Sequence, residues 1–124
     1  MKIIINTEKA SKAIGPYSQA IEVNGTLYIS GQIPINPQTE TIPEGITAQT
    51  EQVMQNIKAI LEEAGYSFEN VVKSTCLLSD MDNFKAMNEV YGKYYPEKCP
   101  ARAAFAVKGL PMGVLVEIET IAYK

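Results

Sequence analysis

The segment Val114-Leu115-Val116-Glu117-Ile118-Glu119-Thr120-Ile121-Ala122 limits the fold more than any other part of the chain. Side chains alternate across a β-strand, so Val114, Val116, Ile118 and Thr120 share one side, and Leu115, Glu117, Glu119 and Ile121 the other. Apolar residues occur on both sides, which requires a sheet covered on both faces. With 124 residues, 46% of them hydrophobic, the chain can build one sizeable core without cross-links. It therefore reads as a single domain spanning residues 1–124.

The remaining elements follow from local chemistry. Lys2 to Ile5 reads as a first strand, and Asn24-Gly25 between Ser18–Val23 and Thr26–Ser30 as a tight hairpin turn. Pro34, Pro37 and Pro43 make the stretch from Ile33 to Gly45 an ordered loop. From about Thr47, which is expected to cap it, a helix carries Val53, Met54, Ile57, Ile60, Leu61 and Ala64 on one stripe, and Gly65 stops it. Val71 to Leu78 is a strand. Asp80 or Asp82 begins a second helix with Phe84, Met87, Tyr91 and Tyr94 near one face, ended before Pro96. A strand from Ala101 to about Val107 and a Pro111-Met112-Gly113 turn lead into the last strand.

Helices that follow strands imply βαβ crossovers, whereas the hairpin makes the sheet mixed, giving an α+β architecture. Two helices cover one face of such a sheet. Leu115 and Ile121, on the other, then require a second copy of the chain, and closed symmetry is the usual solution.

Several classes of chemistry are excluded by composition. Without histidine there is no Ser/His/Asp hydrolysis and no imidazole-ligated zinc, and Cys76 and Cys99 lack metal-ligand spacing, so no metal is expected. Acid–base work falls to carboxylates, lysines, tyrosines and thiols. Fourteen acidic residues against eleven scattered basic ones disfavour nucleic acid as a partner. No apolar run approaches a bilayer span, Met1 to Ile5 is too short for a signal peptide, and two cysteines fit a reducing compartment; a soluble, cytoplasmic protein is expected.

Within these limits Glu117 and Glu119 are equivalent candidates for a base that positions water, because a carboxylate in an apolar strand is costly unless it is paired or used. Arg102, among the small residues of Ala101-Arg102-Ala103-Ala104, has room for its planar fork to hold a substrate carboxylate, or to form an interfacial salt bridge. Asn88 is either a solvent-facing helical amide or a support for such a site. Gly15-Pro16-Tyr17-Ser18-Gln19 and Ser30-Gly31-Gln32-Ile33-Pro34 mark places where backbone conformation matters, and neither matches a nucleotide-binding loop. Cys76 reads as a small buried hydrophobe.

Taken in order, Ala13-Ile14-Gly15-Pro16-Tyr17-Ser18-Gln19-Ala20, Ser30-Gly31-Gln32-Ile33-Pro34, Asn88-Glu89-Val90-Tyr91, Pro100-Ala101-Arg102 and Leu110-Pro111 with Val116-Glu117-Ile118-Glu119 closely resemble the RidA family (YjgF/YER057c/UK114) of enamine/imine deaminases. The resemblance implies a chorismate-mutase-like fold, two helices on one face of a mixed sheet, and a homotrimer with a central β-barrel and clefts between subunits. It implies hydrolysis of 2-iminobutanoate or 2-iminopropanoate to 2-keto acid and ammonia, without a cofactor. It favours Glu117 over Glu119 as the water-positioning acid, assigns Arg102 to the substrate carboxylate, and places Tyr17, Gly31, Asn88 and Ala104 around the substrate. A cysteine commonly stands two positions after the family's arginine; here Ala104 leaves only its backbone N–H. The alternative is a noncatalytic ligand-binding or regulatory trimer using the same cleft.

Overall fold

The computed structural model describes residues 1–124 and contains one six-stranded sheet, β1(Ile3–Ile5), β2(Ala20–Val23), β3(Thr26–Gln32), β4(Val71–Leu78), β5(Ala101–Ala106) and β6(Val116–Tyr123), with helices α1(Ile46–Ala64) and α2(Phe84–Lys93). The strand order is β1-β2-β3-β6-β4-β5. Only β4 and β5 pair in parallel, linked through α2, while β6 lies antiparallel between β3 and β4. The expected mixed α+β sheet is therefore present, and the last strand is central to it.

The hairpin forms where Asn24-Gly25 predicts it, with φ of 49° and 82° at the two residues, the left-handed pair that matches strand twist. Gly65 ends α1 at φ 82°, and its N–H and that of Tyr66 close onto the carbonyls of Glu62 and Leu61. Thr47 does not cap α1. The cap is Gly45, two residues earlier than expected, at φ 87°, a conformation that would strain threonine. Gln49 then secures the first turn, donating to the Pro43 carbonyl at 3.0 Å and accepting from the Leu115 N–H at 2.8 Å. Asp80 caps a short 3₁₀ turn, Met81–Asn83, that leads into α2, accepting from the Asp82 N–H at 2.8 Å.

The core lies between the helices and one face of the sheet. Val53, Met54, Ile57, Ile60 and Leu61 from α1 meet Leu27, Val116, Ile118 and Ala122, all essentially inaccessible. Burial of each such aliphatic side chain contributes about 1.5–3 kcal/mol, so the helical stripe and the even-numbered side of β6 determine how the layers stack. The opposite face of the sheet carries no helix. Leu115, Glu117 and Ile121 are half-buried there, beside Tyr28 and Phe105, whose rings are about half exposed.

Two differences from the expected boundaries bear on the site. The strand β6 begins at Val116 rather than Val114, because a 3₁₀ turn at Pro111–Gly113 occupies the approach. The strand β3 continues past Ser30 to Gln32 through a bulge: Ile29 pairs with Thr120 and Gln32 with Ile118, so Ser30 and Gly31 together oppose Glu119.

Candidate active site

That bulge brings the Gly31 backbone against Glu117. A Cβ on Gly31 would lie 2.9 Å from the Glu117 carboxyl carbon and closer still to its oxygen, so glycine is required for the carboxylate to rest where it does. Glu117, Glu119, Gly31 and Tyr17 line one cleft of about 600 Å³, together with Ser30, Lys12 and the apolar Ile14, Ile33 and Met112. The Glu117 carboxyl is held above the ordinary carboxylate range, first because burial penalises its charge and second because Glu119 lies nearby. A half-buried carboxylate with a raised pKa suits a group that takes a proton from water and returns it.

Arg102 and Asn88 form a second cluster on the other face. Arg102 is in register with Ser74, which is buried on the helix side, whereas Glu117 is in register with Leu77 and thus with Phe105 on the helix-free side. The guanidinium donates to Asn88 Oδ1 at 2.7 Å and lies over the rings of Tyr91 and Phe84, 5.0 and 5.5 Å from their centroids. Its partner is thus a neutral amide rather than a carboxylate, which orients the fork while leaving its charge uncompensated.

Ala104 is on the same side of β5, half-buried. The Val107 N–H bonds to the Leu78 carbonyl at 2.8 Å, and alternation by two residues turns the Ala104 N–H toward the open edge of the sheet. A donor N–H, a fixed guanidinium and an amide thus gather at the free edge of β5.

The six candidate residues therefore divide into two groups of three: Tyr17, Gly31 and Glu117 in the cleft, and Asn88, Arg102 and Ala104 at the β5 edge. Strand β4 and the thickness of the sheet separate them within one chain. Sequence reasoning assigned no site role to Lys12, Ile14, Ser30, Ile33 or Met112, which also line the cleft. They belong to loops and a bulge without periodicity; the local signals were the Ser30–Pro34 segment that contains Ser30 and Ile33, and the Pro-Met-Gly turn that contains Met112. Cys76 is buried as expected, its thiol pushed up to about 11 by burial, with Arg102 opposing the shift.

Comparison with known proteins places this geometry in a family. Residues 7–124 match the family model described as Endoribonuclease L-PSP. The chain is 58% identical to a RutC family protein of Pyrococcus horikoshii, over 100% of this chain and 99% of that one. It is 48% identical to the 2-iminobutanoate/2-iminopropanoate deaminase of Mus musculus, over 96% of this chain and 89% of that protein. A crystal structure of RidA from an Antarctic Psychrobacter superposes with a TM-score of 0.96 at 49% identity, covering 98% of this chain and 99% of the other. Sequence motifs, fold and relatives agree that the chain is a member of the RidA (YjgF/L-PSP) family.

Proposed function

We propose that the protein is a cofactor-independent deaminase of reactive 2-imino acids, such as 2-iminopropanoate and 2-iminobutanoate, and that it works as a homotrimer of single-domain subunits. The observation that carries the reading is the divided site: a base-like Glu117 in a cleft on one face, and a carboxylate-binding Arg102 with its charge uncompensated on the other. Each half supplies what the other lacks. Closed packing of copies brings the Arg102 edge of one subunit to the Glu117 cleft of its neighbour. The similarity to a named 2-iminobutanoate/2-iminopropanoate deaminase supports the same reaction.

In this mechanism an enamine substrate first tautomerises to the imine. Arg102 and the Ala104 N–H of one subunit hold the substrate carboxylate, with Asn88 keeping the guanidinium in place. Glu117 of the neighbour accepts a proton from water as its oxygen attacks the protonated C=N carbon, giving a carbinolamine. Protonated Glu117 returns the proton to nitrogen. Cleavage of the C–N bond releases ammonia, and loss of the hydroxyl proton leaves the 2-keto acid.

A test uses two inactive variants. Glu117→Gln and Arg102→Ala, each folded and each impaired alone, are mixed one to one, dissociated and reassociated. Random assembly should restore about a quarter of the sites, because a site then draws Glu117 from one chain and Arg102 from another. Release of keto acid and ammonia from freshly generated imine is the readout. A mixture no more active than either variant would place both groups in one subunit or outside the chemistry, and an inactive wild type would leave a ligand-binding trimer.

A further inference from the structure

Three large apolar side chains stand out from the surface around a single cleft: Ile14 is 79% exposed, Met112 70% and Tyr17 51%. Water contact on that scale is unfavourable, and a cluster of such side chains around a concavity marks a surface that the neighbouring subunit and a ligand cover together. Met112 is also held in an unusual conformation. Its backbone lies at φ 57° and ψ 19°, the left-handed region that a long side chain avoids.

The turn is held from both ends. Pro111 fixes the backbone before Met112, Gly113 accommodates the φ of 67° that follows it, and Val114, 1% exposed, anchors the far end of the turn. The Gly113 and Val114 N–H groups close onto the carbonyls of Leu110 and Pro111 at 3.2 and 3.3 Å. A strained residue fixed by its neighbours, with its side chain unpacked at a cleft mouth, is an arrangement that persists for use rather than for stability.

The chemistry of the cleft indicates what Met112 meets. The 600 Å³ cleft of the single chain far exceeds a three-carbon imino acid, so it has room for the neighbour's Arg102 edge and for a longer substrate side chain. The walls beside Gly31 are Ile33 and Ile35, and the charged lining is Glu117 and Glu119 with one lysine, Lys12. Apolar chains find contact there, and acidic chains meet like charge. Methionine, unbranched and polarizable, moulds itself to side chains of different shape.

Accepting the imine-deaminase reading, we infer that Met112 is a specificity-determining residue, folding over the substrate side chain and favouring 2-imino acids whose apolar side chains are longer than ethyl. Because Met112 is unpacked on its own chain, it acts as a contact rather than as a barrier.

The test compares wild type with Met112→Gly and Met112→Asn, both compatible with the left-handed backbone. Imino acids generated from alanine, 2-aminobutyrate and leucine serve as substrates, and the corresponding 2-keto acids as binding probes. The expected result is a fall of about tenfold in the leucine-to-alanine ratio of kcat/KM, the scale of lost apolar contact in a pocket. The same direction is expected in the Kd ratio of the keto acids, and thermal midpoints should be no lower than that of the wild type. An unchanged ratio would overturn the inference, and a raised one would make Met112 a barrier. If the wild type accelerates no imine but binds long keto acids more tightly, and the variants lose that preference, the deaminase reading fails and the role of Met112 stands. Keto acids that bind equally at every length, or not at all, would remove that role.

Discussion

Glu117 derives its character from two neighbours, the bulged Gly31 and the like-charged Glu119, and each supports a separate prediction. Burial and Glu119 favour the protonated form, so turnover should rise with pH through a pKa above the ordinary carboxylate range, and this acid limb should vanish in Glu117→Gln. The amide keeps the shape without the basicity, and kcat should fall about 10²–10⁴-fold with weaker effects on keto-acid binding. An unaltered pH profile in a folded variant would assign the base elsewhere. For stability the sign is opposite: a folded pKa raised above the unfolded one makes a contribution that is present at acid pH and lost as pH rises through the folded value. Denaturant titration should therefore find Glu117→Gln more stable than wild type at neutral pH, with the difference closing in acid. If Gly31 positions Glu117, as a Cβ clash with the carboxylate indicates, Gly31→Ala should lower kcat by pushing the carboxylate aside. Adding Glu117→Asp, which withdraws the carboxylate by one methylene, should recover part of that loss relative to Glu117→Asp alone. Additive losses in the two variants would show that Gly31 does not seat Glu117.

Arg102 is positioned at the scale of elements, between the edge strand β5 and helix α2. The Asn88 amide and the Tyr91 and Phe84 rings, all carried by α2, hold its guanidinium against the helix. Lysine keeps the charge but neither the fork nor the stacking. Arg102→Lys should thus retain assembly and lose imino-acid processing, and Arg102→Ala should be worse, with a cost of about 2–5 kcal/mol in kcat/KM, the scale of breaking a buried charged pair. A neutral imine of equal reactivity, lacking the carboxylate, is the control. Equal losses on the two substrates would show that Arg102 does not clamp a carboxylate. The element also explains why local pattern left Asn88 open and only the family resemblance placed it at the site: whether a helical amide meets solvent or an arginine depends on how α2 crosses β5.

For the whole molecule, the two sheet faces are unequal. One is sealed by α1 and α2; the other presents Tyr28, Phe105, Leu115 and Ile121 around the acidic pair on β6. A homotrimer should be observed by native mass measurement in dilute solution, and a stable 13.6 kDa monomer at working concentration would defeat both the assembly and the shared site. What the sequence determined by itself was set by short-range rules: the Asn24-Gly25 hairpin, the Gly65 stop, the helical stripe of α1 and the two-sided alternation of β6. Each depends on the period or φ preference of neighbouring residues, so the elements and their order were legible from the chain. The first turn of α1 departs from local preference because Thr47 is a good cap in isolation, whereas the entering backbone requires the positive φ of Gly45. The candidate residues were legible as types, but their grouping was not. Only the tertiary structure brought Gly31 under Glu117, by a bulge that no periodicity announces, and turned Met112 toward the same cleft. Only it set Arg102 on the opposite face, because the side a residue occupies depends on strand register, which pairing between distant segments decides.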